Sequence, residues 1–235
     1  MLRQSLGEFC PPQPKFTEND ISDLAGKVYL ITGGTSGVGL SLAKILYSKN
    51  AKVYITSRSA DSADKAIQEI KQSFPSLSND VGFLVMDFTD LTQIAPAVKE
   101  FLSKEPLLHS VWYNAGVMNV PSGSRTKQGY ELQWGTNVVA HFIISQLLMP
   151  TLLATAKTAV PGSVRAVWVS SDGHVNYSPA PDGIDWETVA IKPVGWKGDM
   201  AVMKYYGQSK VGNLLLAKET AVRYGNAGIV GVVRN

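Results

Sequence analysis

The stretch "K-V-Y-L-I-T-G-G-T-S-G-V-G-L-S-L-A-K-I-L-Y-S-K-N", residues 27–50, changes character twice. Its first six residues form a short apolar run with few charges, as expected of a strand covered on both faces. Its last part reads as a helix. Between them lies "T-G-G-T-S-G-V-G", residues 32–39. A dinucleotide pyrophosphate needs close backbone approach, a tight turn and the positive end of a helix dipole. Gly33, Gly37 and Gly39 supply the first two, and a helix beginning near Ser36 supplies the third. Thr35, Ser36 and Val38 complete the turn. Any sharp strand-to-helix connection can use glycine, so the weight comes from position, between a first strand and a first helix.

Working outward, the same alternation runs to residue 235. "KVYLIT" (27–32), "AKVYIT" (51–56), "GFLVMD" (82–87), "LHSVWYN" (108–114), "VRAVWVS" (164–170) and "GIVGVV" (228–233) read as strands. Helical stretches fall near 37–49, 61–74, 90–103, 126–156 and 204–224. Strands alternating with helices predict an α/β, Rossmann-type doubly wound parallel sheet, strand order 3-2-1-4-5-6. Residues 1–25, with Pro-Pro-Gln-Pro, read as an extended arm, and 26–235 as one domain. The irregular interval 172–203, rich in Gly, Pro, Asp and Trp, reads as a functional insertion.

With 235 residues, 45% hydrophobic and 17% charged, the chain can bury one sizeable core. A net charge of +3 without a basic run gives no sign of nucleic-acid binding. The single cysteine, Cys10, has no disulfide or metal-ligand companion, which fits a reducing compartment. No apolar signal core opens the chain, so a cytoplasmic location is expected. The apolar run 138–156 contains His141, Ser145, Gln146 and Pro150 and lacks flanking cations. It reads as a buried helix, not a membrane span. His109, His141 and His174 have no metal-ligand spacing; His174 is a candidate for the substrate site, the other two for structural roles.

The end of the second strand bears on cofactor choice. NAD enzymes of this architecture place an acid there, about 20 residues past the glycines. This chain reads "I-T-S-R-S", 55–59. Arg58 suits a 2′-phosphate, with Ser57 and Ser59 adding hydrogen bonds, so NADP(H) is expected.

Further on stands "K-Y-Y-G-Q-S-K", 204–210. Residues four apart share a helix face, so Tyr206 and Lys210 are neighbours and Tyr205 points elsewhere. Taken together, T-G-x-x-x-G-x-G, "N-A-G" at 114–116, Asn137 in "W-G-T-N-V", "V-S-S" at 169–171 and Tyr206-x-x-x-Lys210 resemble the short-chain dehydrogenases/reductases in order along nearly the whole chain. Within that family the extended arm, "Y-G-Q-S-K-V-G-N" and the long Ser171–Tyr206 interval are similar to retinol-dehydrogenase-like and fungal secondary-metabolism reductases.

The resemblance implies an NADP-dependent oxidoreductase acting on a small alcohol or carbonyl compound. Tyr206 is then the general acid/base. Ionising a free tyrosine at pH 7 costs about 4 kcal/mol, and Lys210 one turn away lowers that cost. Ser171, at the carboxyl end of its strand, is preferred over Ser170 for stabilising the substrate oxygen. Asn137 holds a water that links the lysine to solvent, and Lys210 also grips the nicotinamide ribose. Asn114, Ala115 and Gly116 border the cofactor. Asp87 either lies near the adenine ring or caps a helix. Tyr177, Trp186, Trp196, Met200 and Met203 either line an apolar substrate site or pack the 172–203 segment. Pairing of two copies through the fourth and fifth helices is a further expectation.

The family's sixth strand is followed by a Pro-Gly turn, nicotinamide contacts, a covering helix and a seventh strand. The present sequence stops at Asn235. The expectation is a missing seventh strand, an apolar sheet edge, poor stability and low activity. A catalytically silent nucleotide-binding protein is the competing reading. An epimerase of the extended branch would need a larger C-terminal lobe.

Overall fold

The computed structural model describes residues 13–191, 195–196 and 199–235. Residues 1–12 of the expected arm, Cys10 among them, and 192–194 and 197–198 of the insertion lie outside the described residues. Six strands form one parallel sheet: β1 (Val28–Ile31), β2 (Lys52–Ser57), β3 (Val81–Val85), β4 (Ser110–Tyr113), β5 (Val164–Val169) and β6 (Ile229–Arg234). Their order is β3-β2-β1-β4-β5-β6, as the alternating pattern predicts. The order reverses between β1 and β4. Connections leave those two strands toward opposite faces and open a crevice at their carboxyl ends.

The long helices are α1 (Gly37–Ser48), α2 (Ala60–Ser73), α3 (Ile94–Lys104), α4 (Leu132–Ala156) and α5 (Asp199–Tyr224). Side chains alternate along each strand, and the core divides accordingly. Ile31, Val53 and Ile55 meet α1 and α2 through Ala43, Leu46, Tyr47, Ala66 and Ile70. Leu30, Tyr54, Val111 and Trp168 face the other way, onto α3 and α4 through Val98, Phe101, Ile144 and Leu148, with Ala217 of α5.

Two expected boundaries move. The helix expected over 126–156 begins at Leu132. Gly129 turns the chain with φ +92°, the Thr126 N–H closes that turn on the Tyr130 carbonyl at 2.9 Å, and the Glu131 carboxylate accepts the Trp134 N–H at 2.8 Å to start the helix. The interval 172–203 is less irregular than expected. It holds short helices at Gly173–Asn176 and Trp186–Val189, and α5 already begins at residue 199.

Helix α4 is long and apolar enough to cross a membrane, but half of its most apolar window is buried. Its buried positions, Ala140, His141, Ile144, Ser145, Leu148, Met149, Leu152 and Thr155, recur every three or four residues along one face. Residues Gly135–Val139 of α4 form a π-turn, which places Asn137 in a helical segment with wider hydrogen bonding.

Glycines let α5 approach its neighbours. A Cβ on Gly207 would stand 2.6 Å from the Tyr177 carbonyl carbon and the Ser178 nitrogen, and 2.8 Å from the Gly173 oxygen. Gly207→Ala would gain about 1 kcal/mol of helix propensity. Overpacking against backbone typically costs about 1–3 kcal/mol, and three such contacts put this site at the upper end. We therefore expect a net loss of about 1–2 kcal/mol in urea unfolding; a more stable Gly207→Ala protein would show that α5 is free to move outward.

Candidate active site

The turn after β1 is built by two close approaches. Gly33 has φ +67° and Gly37 φ +54°, the left-handed region that favours glycine. A Cβ on Gly33 would lie 2.9 Å from the Ala115 Cα, and one on Gly39 would collide with the Gly33 oxygen and the Asn114 amide. Backbone from β1, α1 and the end of β4 therefore converges where no side chain fits. Asn114 locks the convergence: its Nδ2 donates to the Thr32 and Gly33 carbonyls at 2.9 and 3.2 Å. The Gly33 N–H donates to Thr56 Oγ1 at 3.0 Å, tying in the end of β2.

Outside this turn lies a cavity of about 380 Å³. Of the residues expected at a cofactor, Gly33, Thr35, Ser36, Val38, Gly39, Arg58, Asp87, Asn114, Ala115 and Gly116 line it. Gly37, Tyr206 and Lys210 do not; Gly37 turns the chain into α1. Ser36 is the N-cap of α1 but makes no capping bond through its hydroxyl, so the first turn of α1 keeps its N–H groups for an anion. The cavity is also lined by Thr56, Ser62, Phe88 and Thr136, none of them expected from sequence. The Thr136 hydroxyl is buried with no hydrogen-bond partner among the described residues. A side-chain-free cradle, a free helix N-terminus and an unpaired hydroxyl suit a dinucleotide.

Two expected contributions take other forms. Ser59 caps α2, accepting the Ser62 N–H at 3.3 Å, and is absent from the lining; Ser57 lines the cavity while accepting the Ser59 N–H at 3.3 Å. Asp87 lines the cavity, and its Oδ1 accepts the Thr89 N–H at 2.9 Å. It is not the helix cap; Asp90 caps the following turn of helix, accepting the Thr92 N–H.

Gly116 leads from the cavity to the second cluster. A Cβ there would lie 3.2 Å from Asn137 Oδ1 and 3.7 Å from Lys210 Nζ. Lys210 Nζ stands 5.5 Å from the centre of the Tyr206 ring and donates to the Val169 carbonyl at 3.1 Å. Only 5% of Lys210 is exposed, and burial pushes its ammonium down to about 8. Tyr206 is half-buried, while Tyr205 points away: its hydroxyl accepts the Trp196 N–H at 2.9 Å and its ring packs on Trp196 at 5.0 Å. Trp196 therefore packs the insertion, whereas Trp186 and Met200 are exposed.

The serines separate as the strand position implies. Ser170 Oγ donates to the Lys210 carbonyl at 2.9 Å and is buried. Ser171 Oγ accepts the Gly173 N–H at 3.2 Å, which leaves its own hydrogen to donate. Gly173 joins Ser171 to the tyrosine, since a Cβ there would sit 2.8 Å from Tyr206 Cε1 and 3.6 Å from Ser171 Oγ. His174 turns back, its Nδ1 donating to the Ser171 carbonyl at 2.6 Å. Asn137 uses its amide on protein groups: Oδ1 accepts the Val117 N–H at 2.8 Å, and Nδ2 donates to the Val117 carbonyl and Ser209 Oγ at 3.0 and 2.9 Å.

A parallel sheet with a glycine-lined crevice at its switch point defines the Rossmann-type nucleotide-binding class. Residues 27–179 match the family described as short chain dehydrogenase. A "Short-chain dehydrogenase/reductase" of Phomopsis amygdali is 44% identical over 236 residues, spanning 100% of this chain and 69% of the relative. The "Short-chain dehydrogenase/reductase pkfC" of Emericella nidulans is 42% identical over 221 residues, 93% of this chain and 69% of its own length. Among solved structures, an uncharacterised protein from Mycobacterium paratuberculosis superposes with a TM-score of 0.70 at 25% identity, over 93% of this chain and 70% of that one. The chain belongs to the short-chain dehydrogenase/reductase family, oxidoreductases that use a nicotinamide cofactor.

His141 is the residue that sequence reasoning undervalued. It is fully buried, and burial, with the Lys210 charge adding to it, pushes the imidazole down to about 3. A free imidazole titrates near 6.5. Between those limits the unfolded chain binds a proton that the folded one refuses, so stability rises with pH and is lost as pH falls. The contribution is about 1.4 kcal/mol per pH unit. Urea unfolding of the wild type and His141→Gln from pH 6 to pH 4.5 should show the shallower pH slope in the variant; parallel slopes would mean that folded His141 titrates normally.

Proposed function

We propose that this chain is an NADP-dependent oxidoreductase that interconverts a small, apolar alcohol and its carbonyl compound. Its setting, by resemblance to fungal reductases, is secondary metabolism. The observation that carries the reading is the meeting of Ser171 and Tyr206 at Gly173, with Lys210 beside the Tyr206 ring and next to Gly116 of the cavity lining.

Gly33, Gly39, Ser36 and the first turn of α1 would hold the pyrophosphate, and Arg58 at the end of β2 the 2′-phosphate. Asn114–Gly116 and Lys210 would border the nicotinamide half. When bound, NADP(H) supplies or receives the hydride. In reduction Tyr206 gives its phenolic proton to the substrate oxygen, and in oxidation it takes that proton back. The Ser171 hydroxyl donates a hydrogen bond to the same oxygen, stabilising charge that grows there during hydride transfer. The Lys210 ammonium, in surroundings that exclude most water, favours negative charge on the phenol oxygen. Asn137 holds Val117 and Ser209, so it fixes both the border of the cavity and the helix that carries Tyr206.

Tyr206→Phe removes the transferable proton and little volume. Turnover of an aromatic aldehyde panel, followed by NADPH consumption, should fall about 10²- to 10⁴-fold. NADPH affinity should stay within about twofold. Retained turnover would move the acid/base role elsewhere.

Cofactor choice is tested separately. With Arg58 free to meet a phosphate, NADPH should bind at least about tenfold tighter than NADH, roughly 1.4 kcal/mol. Arg58→Asp should erase or reverse that ratio in fluorescence titrations; equal affinities in the wild type would sink the assignment to NADP.

A further inference from the structure

We infer that His141 is a positioning residue that ties the nucleotide turn after β1 to the π-turn bearing Asn137, keeping the cofactor-binding and acid/base halves of the site in one register. The inference deepens the proposed function and rests on that reading for its consequence, though its geometry stands alone.

Each imidazole nitrogen has one partner, and the partners belong to different halves. Nδ1 lies 2.9 Å from the Asn137 carbonyl, and Nε2 lies 2.9 Å from Thr32 Oγ1, a residue 109 positions away in sequence. A carbonyl only accepts, so Nδ1 carries the hydrogen. Nε2 is then the acceptor and takes the Thr32 hydroxyl hydrogen; the other acceptor in reach, the Trp112 carbonyl at 3.2 Å, already receives the Thr32 N–H at 2.9 Å. With its hydrogen so engaged, Thr32 Oγ1 presents lone pairs to the N–H groups of Asn114 and Ala115 at 2.8 and 3.0 Å. The direction of every bond follows from the first. Asn137, whose carbonyl the imidazole holds, uses its own side chain to fix Val117 and Ser209.

A leucine would fill this place without the cost of burying two polar nitrogens. Aromatic rings pack around the imidazole: Phe88, Tyr113 and Trp168 lie at centroid distances of 5.4, 5.5 and 6.5 Å from it. These rings fix its plane, so the two bonds cannot swing independently. A movement of the glycine turn reaches the Asn137 backbone directly through this rigid ring, whereas the route along residues 114–117 reaches only the Asn137 side chain.

The two bonds can be cut one at a time. His141→Asn places an amide near the Nδ1 position and falls short of Thr32. His141→Gln reaches toward Thr32 and gives up the geometry at Asn137. Amide hydrogen exchange at Asn114, Ala115 and Val117, corrected for global stability by urea unfolding, reads each half, and NADPH fluorescence titration reads the cofactor turn. In His141→Asn we expect at least a tenfold loss of protection at Asn114 and Ala115, a roughly tenfold weaker NADPH affinity and an unchanged Val117. In His141→Gln we expect the converse: Val117 deprotected at least tenfold and NADPH affinity within twofold. Equal loss at all three amides in both variants, or no loss in either, would overturn the positioning role and leave His141 as core filling. If the wild type binds neither NADPH nor NADH, the proposed function fails, while the exchange pattern still decides the role of His141.

Discussion

Everything at the mouth of the sheet depends on how closely three pieces of backbone meet at Gly33. The turn after β1, the start of α1 and the end of β4 come together with no room for a Cβ on Gly33 or Gly39. Such an approach buries peptide groups that must find partners or cost free energy. Asn114 and Thr32 provide them, bridging β1 to β4 through four hydrogen bonds. The glycines make the crevice narrow, and the two polar side chains keep that narrow arrangement satisfied.

The same logic explains why some of the site was legible in sequence and some was not. The strands and the glycine turn are local: period, composition and spacing are enough to read them, and their ends moved by only one or two residues. Tyr206 and Lys210 are legible for the same reason, as one helical turn. The start of α4 is not legible in sequence because residues 126–130 can join either a helix or a turn, and Gly129 and the Glu131 cap decide it. The type and position of Ser59 suit a phosphate ligand, but its hydroxyl serves the N-terminus of α2, a role that a serine beside an arginine does not reveal in sequence. His141 is the clearest case. Nothing within its own helix reveals that Thr32, at the end of β1, is its partner.

Polar groups at the site are arranged so that few compete. Ser170 spends its hydroxyl on the α5 backbone, whereas Ser171, one residue later and outside the strand, keeps a hydrogen to donate. Asn137 is fully engaged with protein atoms, and Lys210 is desolvated enough to lower its pKa yet remains mostly protonated at neutral pH. Its charge therefore acts at short range in poor solvent, where an ion influences a neighbouring phenol far more than it would in water.

Which of two adjacent tyrosines faces the site is fixed by the rotation of α5 about its axis, and that rotation is set at the end of β5. The Val169 carbonyl accepts from Lys210 Nζ at 3.1 Å and from Asn213 Nδ2 at 2.8 Å, while Ser170 Oγ holds the Lys210 carbonyl. Tyr206, Lys210 and Asn213 stand at i, i+4 and i+7, one stripe of the helix. Two side chains of that stripe anchored to one strand carbonyl leave the third, Tyr206, directed at Ser171 and Gly173. Tyr205, about 100° around the helix, is carried to the far side and onto Trp196. Gly207 then lets the correctly turned helix come close enough for the tyrosine ring to reach the serine. The tyrosine pair is ambiguous when read alone; Asn213, two turns further on, removes the ambiguity because it shares an acceptor with the lysine.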